Sequence, residues 1–146
     1  MEVKNSVYPN EAQIRGFLEP GAEGPIFMVN LLKFKARADY ADGRASSLTG
    51  EQAYGLYSDA VSMLLKEFGG GAIFSGTVER LMLGEVEELW DKVVIAMYPS
   101  RQAMLEMMQS PKMQEIGAHR AAGLAGQLNI ETVDVAGFFG ADSSIA

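Results

Sequence analysis

The chain holds one histidine, His119, and an arginine follows it, Arg120. Among side chains, only histidine has an ordinary pKa near neutrality, so His119 can serve as acid, base or ligand anchor. Arg120 can take a carboxylate in its planar fork. The small neighbours Ala118, Ala121, Ala122 and Gly123 would let a ligand or another backbone come close. This grouping suggests an anionic or carbonyl-bearing small ligand, held by Arg120 and hydrogen-bonded by His119. The plainer reading is that both residues serve a helix end, where cations complement the dipole.

Asn30 is an amide inside the apolar run Pro25-Ile-Phe-Met-Val-Asn-Leu-Leu-Lys-Phe34. A buried amide must find partners or cost about 1–3 kcal/mol. It could meet a ligand oxygen, or simply neighbouring backbone or a buried water. Lys33, three residues on, falls on the opposite strand face. Tyr54 and Tyr57 share a helical face, where they could line a pocket or pack with their hydroxyls at the rim. Arg101 opens a helix against the dipole, which calls for an acidic side chain or a ligand beside it. The ligand-binding candidates are thus Asn30, Tyr57, His119 and Arg120, with His119 the catalytic candidate.

Other chemistries lack their parts. With no cysteine, disulfides, thiolate nucleophiles and Cys-ligated metals are excluded. One histidine falls short of the three or four protein ligands a zinc site needs. As an axial haem ligand it would stand without any second haem signal. No metal or cofactor is therefore expected. Gly69-Gly70-Gly71 closes a helix and opens a strand, the reverse of a phosphate loop. No nucleophile elbow or paired-carboxylate motif occurs.

Several elements must position these groups. The run 25–34 and Val93-Val-Ile-Ala-Met-Tyr98 read as central strands buried on both faces. Asn10 with Gln13, and Thr49 with Gln52, are capping-box pairs that start helices. The first helix stops at Pro20-Gly21, the second at Gly69. Ala36 to Gly50 is polar and turn-rich and reads as a mobile loop. Mixed strands are expected at Ala72–Leu83 and Gln127–Val135, and the third strand at Trp90–Tyr98. Trp90 and Tyr98 would then share strand parity and flank a cavity or pack. Ser100 caps a helix carrying Met104, Leu105 and Met108, and Met104, Met107, Met108 and Met113 make a soft, gap-filling core cluster. Ser110-Pro111 starts a further helical turn. Gly117 to Gly126 reads as the link onward to the last strand.

Leaving aside the first helix, the order is strand, helix, strand, strand, helix, strand. That is the ferredoxin-like βαββαβ pattern, an α+β fold with a four-stranded antiparallel sheet. Its first and third strands are central, and these are the two continuous apolar runs. Two helices cover one sheet face only, so the other face needs a cover. A second copy of the sheet is the economical one, which predicts a homodimer through sheet faces.

At 146 residues the chain is expected to be one domain, 1–146. It divides into an N-terminal helical extension (1–24), a core (25–136) and a tail (137–146). Hydrophobic residues make up 48% and the net charge is −7. No basic cluster occurs, so nucleic acid is not an expected partner. No apolar run is long enough to span a membrane, and no secretion signal opens the chain, so a cytoplasmic location is expected.

The run 25–34, Trp90-Asp-Lys-Val-Val-Ile-Ala-Met-Tyr-Pro-Ser-Arg101 and His119-Arg-Ala-Ala-Gly-Leu124 resemble domain-of-unknown-function family 1330, of the dimeric α/β-barrel superfamily. The resemblance extends over roughly 25–135. It implies a ferredoxin-like fold, a barrel built by two subunits and a pocket between sheet and helices, but no settled activity. Two functions fit. One is a small-molecule-binding dimer, including a cofactor-free oxygenase or isomerase acting on a small carbonyl or carboxylate compound, with His119 or a tyrosine moving a proton and Asn30 polarising a substrate oxygen. The alternative is a non-catalytic structural or stress-related dimer with no pocket.

Overall fold

The computed structural model describes residues 2–137. The tail expected from 137 onward therefore lies, from 138, outside the described residues. Four strands form one antiparallel sheet: β1 (Ile26–Phe34), β2 (Gly71–Thr77), β3 (Lys92–Tyr98) and β4 (Leu124–Thr132). Their order is β2-β3-β1-β4, the ferredoxin-like arrangement with the two apolar strands at the centre. Four helices accompany them: α1 (Glu11–Leu18), α2 (Gly50–Glu67), α3 (Arg101–Gln109) and α4 (Pro111–Gly123). Both expected capping boxes form, at Asn10–Gln13 and Thr49–Gln52.

The helices cover one sheet face. Ile26, Met28 and Leu32 of β1 and Ala96 and Tyr98 of β3 enter the core with Tyr54, Tyr57, Leu64 and Leu65 of α2, Met107 of α3 and Ile116 of α4. The register pairs Ile26 with Tyr98 and Met28 with Ala96, so even positions of both strands face the helices. Asn30 shares that parity and Lys33 does not. The Lys33 ammonium donates to Leu89 O at 3.0 Å and pairs with Glu88 and Asp91.

Several boundaries differ from expectation. β2 stops at Thr77, not Leu83. Thr77 pairs with Lys92, the first residue of β3, and beyond it only Val78 N reaches across, to Asp91 O at 3.0 Å, before the pairing ends. Trp90 lies outside β3 and donates its indole N–H to Asn5 at 2.7 Å. β4 begins at Leu124 and ends at Thr132, whose hydroxyl donates to Phe27 O at 2.6 Å.

The stretch expected as a link, 117–126, is mostly helix. Alanine is the best helix former, and α4 runs on to Gly123. Its small residues serve helix packing. A Cβ on Gly123 would strike Gly50 O, and one on Gly50 would strike Lys35 O. α2 and α4 thus touch at glycine, and Lys35 N donates to Gly123 O at 2.8 Å.

The loop after β1, expected to be mobile, is tied down. Ala38 N donates to Leu48 O and Asp39 N to Ala122 O, each at 3.0 Å. Tyr40 is buried beside Ala53 and Ala122 in a small second core.

Candidate functional site

Asn30 lies under the helices, and the structure uses its whole hydrogen-bonding capacity. Its Nδ2 donates to Met28 O at 3.1 Å and Val94 O at 3.2 Å. Both acceptors are carbonyls, so only the NH2 end of the amide can face them. Its Oδ1 then accepts from Gln127 Nε2 at 2.6 Å and from Asn129 Nδ2. An amide has two donor hydrogens and two acceptor lone pairs, so Asn30 has none left for a ligand. The direct substrate contact expected of Asn30 is replaced by a structural one.

The polarity passes outward. With the Gln127 NH2 turned to Asn30, its Oε1 faces away and accepts from Arg120 Nη2 at 2.6 Å. Arg120 sits in the last turn of α4 and makes no ion pair among the described residues. The ring of Tyr8 lies 5.9 Å from its guanidinium carbon.

Tyr54 and Tyr57 stand within reach of this arginine's charge. The rings of Tyr54 and Tyr57 are 5.3 Å apart, and Tyr98 joins them from β3 in the same core. Burial pushes all three phenols above their ordinary pKa. Phenolate repulsion among them adds to the rise at Tyr54 and Tyr98, and the Arg120 charge opposes it at Tyr54 and Tyr57. At neutral pH they are therefore neutral O–H groups. The rings are buried, yet none of the three hydroxyls hydrogen-bonds to another described residue. Nor is any buried polar side-chain atom left unsatisfied among the described residues. Each hydroxyl thus borders space that a water-sized group can reach.

His119 points elsewhere. Its Nδ1 is 2.6 Å from the hydroxyl of Tyr40, and the two rings meet edge to face at 5.5 Å. Arg44 lies over the Tyr40 ring, 4.5 Å from its centre, while its guanidinium pairs with Asp42. The structure therefore brings Asn30, Tyr57 and Arg120 to one place and gives His119 to the loop.

Sequence reasoning left Gln127 and Asn129 out of the set. Their signal was the polar alternation of β4, but alternation does not say which face turns inward. Register supplies that answer: Gln127 pairs with Leu32 and Asn129 with Asn30. Arg101 finds the acidic partner its position called for, with Nε and Nη2 each 2.7 Å from Glu131.

Two surface clefts lie away from these residues. One, of about 410 Å³, is lined by Phe34, Lys35, Thr49, Glu51 and Asp91 among others. Its polar groups are largely committed: Asp91 accepts from Phe34 N, and the Thr49 hydroxyl caps Gln52 N. The other, of about 170 Å³, is an apolar hollow between Phe27, Val29, Ile73, Ile95 and Thr132, on the face away from the helices. Among the described residues no group of three His, Asp or Glu side chains is placed to hold a metal. No helix among them is long and apolar enough to cross a membrane.

Fold and sequence together define a small α+β protein of ferredoxin-like topology. The chain belongs to the family described as "Domain of unknown function (DUF1330)", whose profile matches residues 38–133. β1, with Asn30, precedes the matched span. Among solved structures, the chain is similar to RPA0582, a protein of unknown function from Rhodopseudomonas palustris: 31% identity, TM-score 0.80, over 90% of this chain and 98% of that one. Methylated RPA0582 gives 32% identity and a TM-score of 0.81, over 91% and 97%. A DABB-family protein with a ferredoxin-like fold from Mesorhizobium loti gives 11% identity and a TM-score of 0.47, over 77% and 99%. No curated protein matches the chain.

Proposed function

We propose that the protein binds a small carbonyl or carboxylate compound between its sheet and helices, and does so as a homodimer joined through the open sheet faces. One observation carries the binding reading. Tyr54 and Tyr57 carry buried rings whose hydroxyls no described residue satisfies, beside an arginine with no ion pair among the described residues. Each hydroxyl keeps accessible surface, and such a cluster can serve a ligand or ordered water. Any proton transfer here would start from a tyrosine acting as acid, since burial holds the phenols protonated. The bond of His119 to Tyr40 favours a supporting role for the histidine.

The dimer rests on the face the helices leave bare. Phe74, Ile130 and Val133 are exposed there, around the apolar hollow at Val29 and Ile95. Apolar surface of that kind is usually covered by a partner.

Light scattering at micromolar concentration should give a mass near twice 15.8 kDa. Ile95→Lys should halve it. A folded parent that runs as a monomer refutes the assembly. For the site, a dye-monitored melt against small carbonyl and carboxylate compounds should find one that raises the melting point of the parent and not of Arg120→Ala. A parent that responds to none of them refutes the site.

A further inference from the structure

We infer that this site takes its ligand as an oxyanion, a carboxylate or an enolate, received by Arg120 and the hydroxyls of Tyr54 and Tyr57, with Asn30 and Gln127 positioning the arginine from behind. The inference rests on the binding site proposed above and narrows its ligand by counting donors and acceptors.

The count starts at the sheet. Two backbone carbonyls, Met28 O and Val94 O, fix which end of the Asn30 amide faces them. That choice turns Oδ1 toward Gln127, which turns Oε1 of Gln127 toward Arg120. No amide in this relay can flip without setting donor against donor or acceptor against acceptor. Arg120 is thus held at one nitrogen by a neutral carbonyl that leaves its charge unneutralised. A guanidinium carries five N–H donors, and one is used here. The remaining four have no hydrogen-bond partner among the described residues.

Tyr54 and Tyr57 add two O–H groups that can donate to the same ligand, while the arginine can only donate. The phenols are neutral, because burial resists phenolate formation. A site of this composition offers donors with one net positive charge. Its complement is a group with several lone pairs and a negative charge. A planar carboxylate satisfies the arginine fork and leaves its outer lone pairs to the phenols. A primary amide of the same shape would turn an N–H toward an N–H donor. An amine would bring a second cation against Arg120. The site therefore discriminates by charge and, at the arginine fork, by donor–acceptor pattern.

The positioning role of Asn30 follows from its saturation. It has no free valence for the ligand, so its effect on binding can pass only through Gln127.

The test uses calorimetric titration of the full chain with benzoate, phenylacetate and pyruvate, each beside its own primary amide, and with benzylamine. At least one carboxylate should bind about tenfold or more tightly than its amide. Arg120→Gln should erase that ratio. Gln127→Glu places a carboxylate against Arg120 from within and should abolish carboxylate binding in a protein of unchanged circular dichroism. Asn30→Leu should lower the carboxylate-to-amide ratio; should that variant fail to fold, Gln127→Met tests the same relay.

Amides or benzylamine binding as well as the carboxylates would overturn the oxyanion inference and leave the site standing. So would a carboxylate preference that survives Arg120→Gln. Binding by no member of any set would overturn the site itself and the inference with it. An unchanged ratio in both relay variants would remove the positioning role.

Discussion

The two faces of the sheet solve different problems. On the helix-covered face, Asn30, Gln127 and Glu131 are half-buried, and each has a named partner. On the open face the strands present Val29, Ile95, Leu128 and Ile130, with scarcely a polar group along the central pair. Polar groups under a cover are expensive unless paired, and once paired they fix one geometry. Apolar groups without a cover fix no geometry and ask only to be buried. The covered face can thus specify a ligand, whereas the open face can only recruit a surface. The contrast also separates what each substitution should do.

The largest effect falls in the covered core. Leu32 is fully buried there, and Leu32→Ala should cost about 2–5 kcal/mol in urea unfolding. Ile130, 44% exposed on the open face, should cost under about 1 kcal/mol on truncation in the monomer. Its loss should instead weaken self-association, read as a concentration-dependent mass. Similar costs for both under monomeric conditions would erase the distinction between the faces.

Next comes the amide relay. Asn30→Ala removes the amide that hydrogen-bonds Met28 O, Val94 O, Gln127 and Asn129. A loss of about 1–3 kcal/mol is expected by the same unfolding measurement. The cost should fall if Gln127 is also replaced by an apolar residue, since a network removed whole strands fewer groups than one removed in part.

A finer contrast lies between two tyrosines. The Tyr40 hydroxyl has a partner in His119, and Tyr40→Phe should cost about 0.5–1.5 kcal/mol. The Tyr57 hydroxyl has none among the described residues, and Tyr57→Phe should stay within about 0.5 kcal/mol of the parent. A large loss at Tyr57 would show a structural hydroxyl and remove it from the ligand's contacts.

How much of this was legible depends on the range of the cause. Local causes were readable. Capping pairs at Asn10 and Thr49 lie three residues apart, and the apolar runs of β1 and β3 name the central strands by themselves. The parity of Asn30 and Lys33 followed from strand geometry alone. Non-local causes were not readable. Asn30 meets Val94 and Gln127 across 64 and 97 residues, so its saturation could not be counted from neighbours. Ala121, Ala122 and Gly123 read as a link because their smallness has two meanings, flexibility or close helix approach. Only the position of Gly50 decides between them. His119 and Arg120 looked like one site because they are adjacent. On a helix, consecutive side chains diverge by about 100°, and these two reach different partners.

The smallest expected effect is at the edge of the covered face, and it is read by pH. The Arg101 guanidinium beside Glu131 holds its carboxyl below the ordinary glutamate value, with burial opposing. In the unfolded chain that carboxyl titrates near 4.5. The folded protein therefore releases this proton more readily than the unfolded one, and the pair stabilises fully above pH 4.5. As pH falls below that value and through the lower folded one, the unfolded chain binds the proton first, and the contribution fades. Asp42, held at about 2 by Arg44, acts in the same direction over an overlapping range. Thermal melts from pH 7 to pH 3 should show Glu131→Gln less stable than the parent at neutrality and converging on it in acid. Asp42→Asn should change the acid limb less, because its pair is exposed on the loop and screened by water. Arg101 also donates to Glu19 O at 2.9 Å and lies over Phe17, so it ties α1 to β4. If Glu131→Gln kept its deficit at pH 3, the loss would come from packing at that junction, and the charge would not be what holds the edge of the covered face.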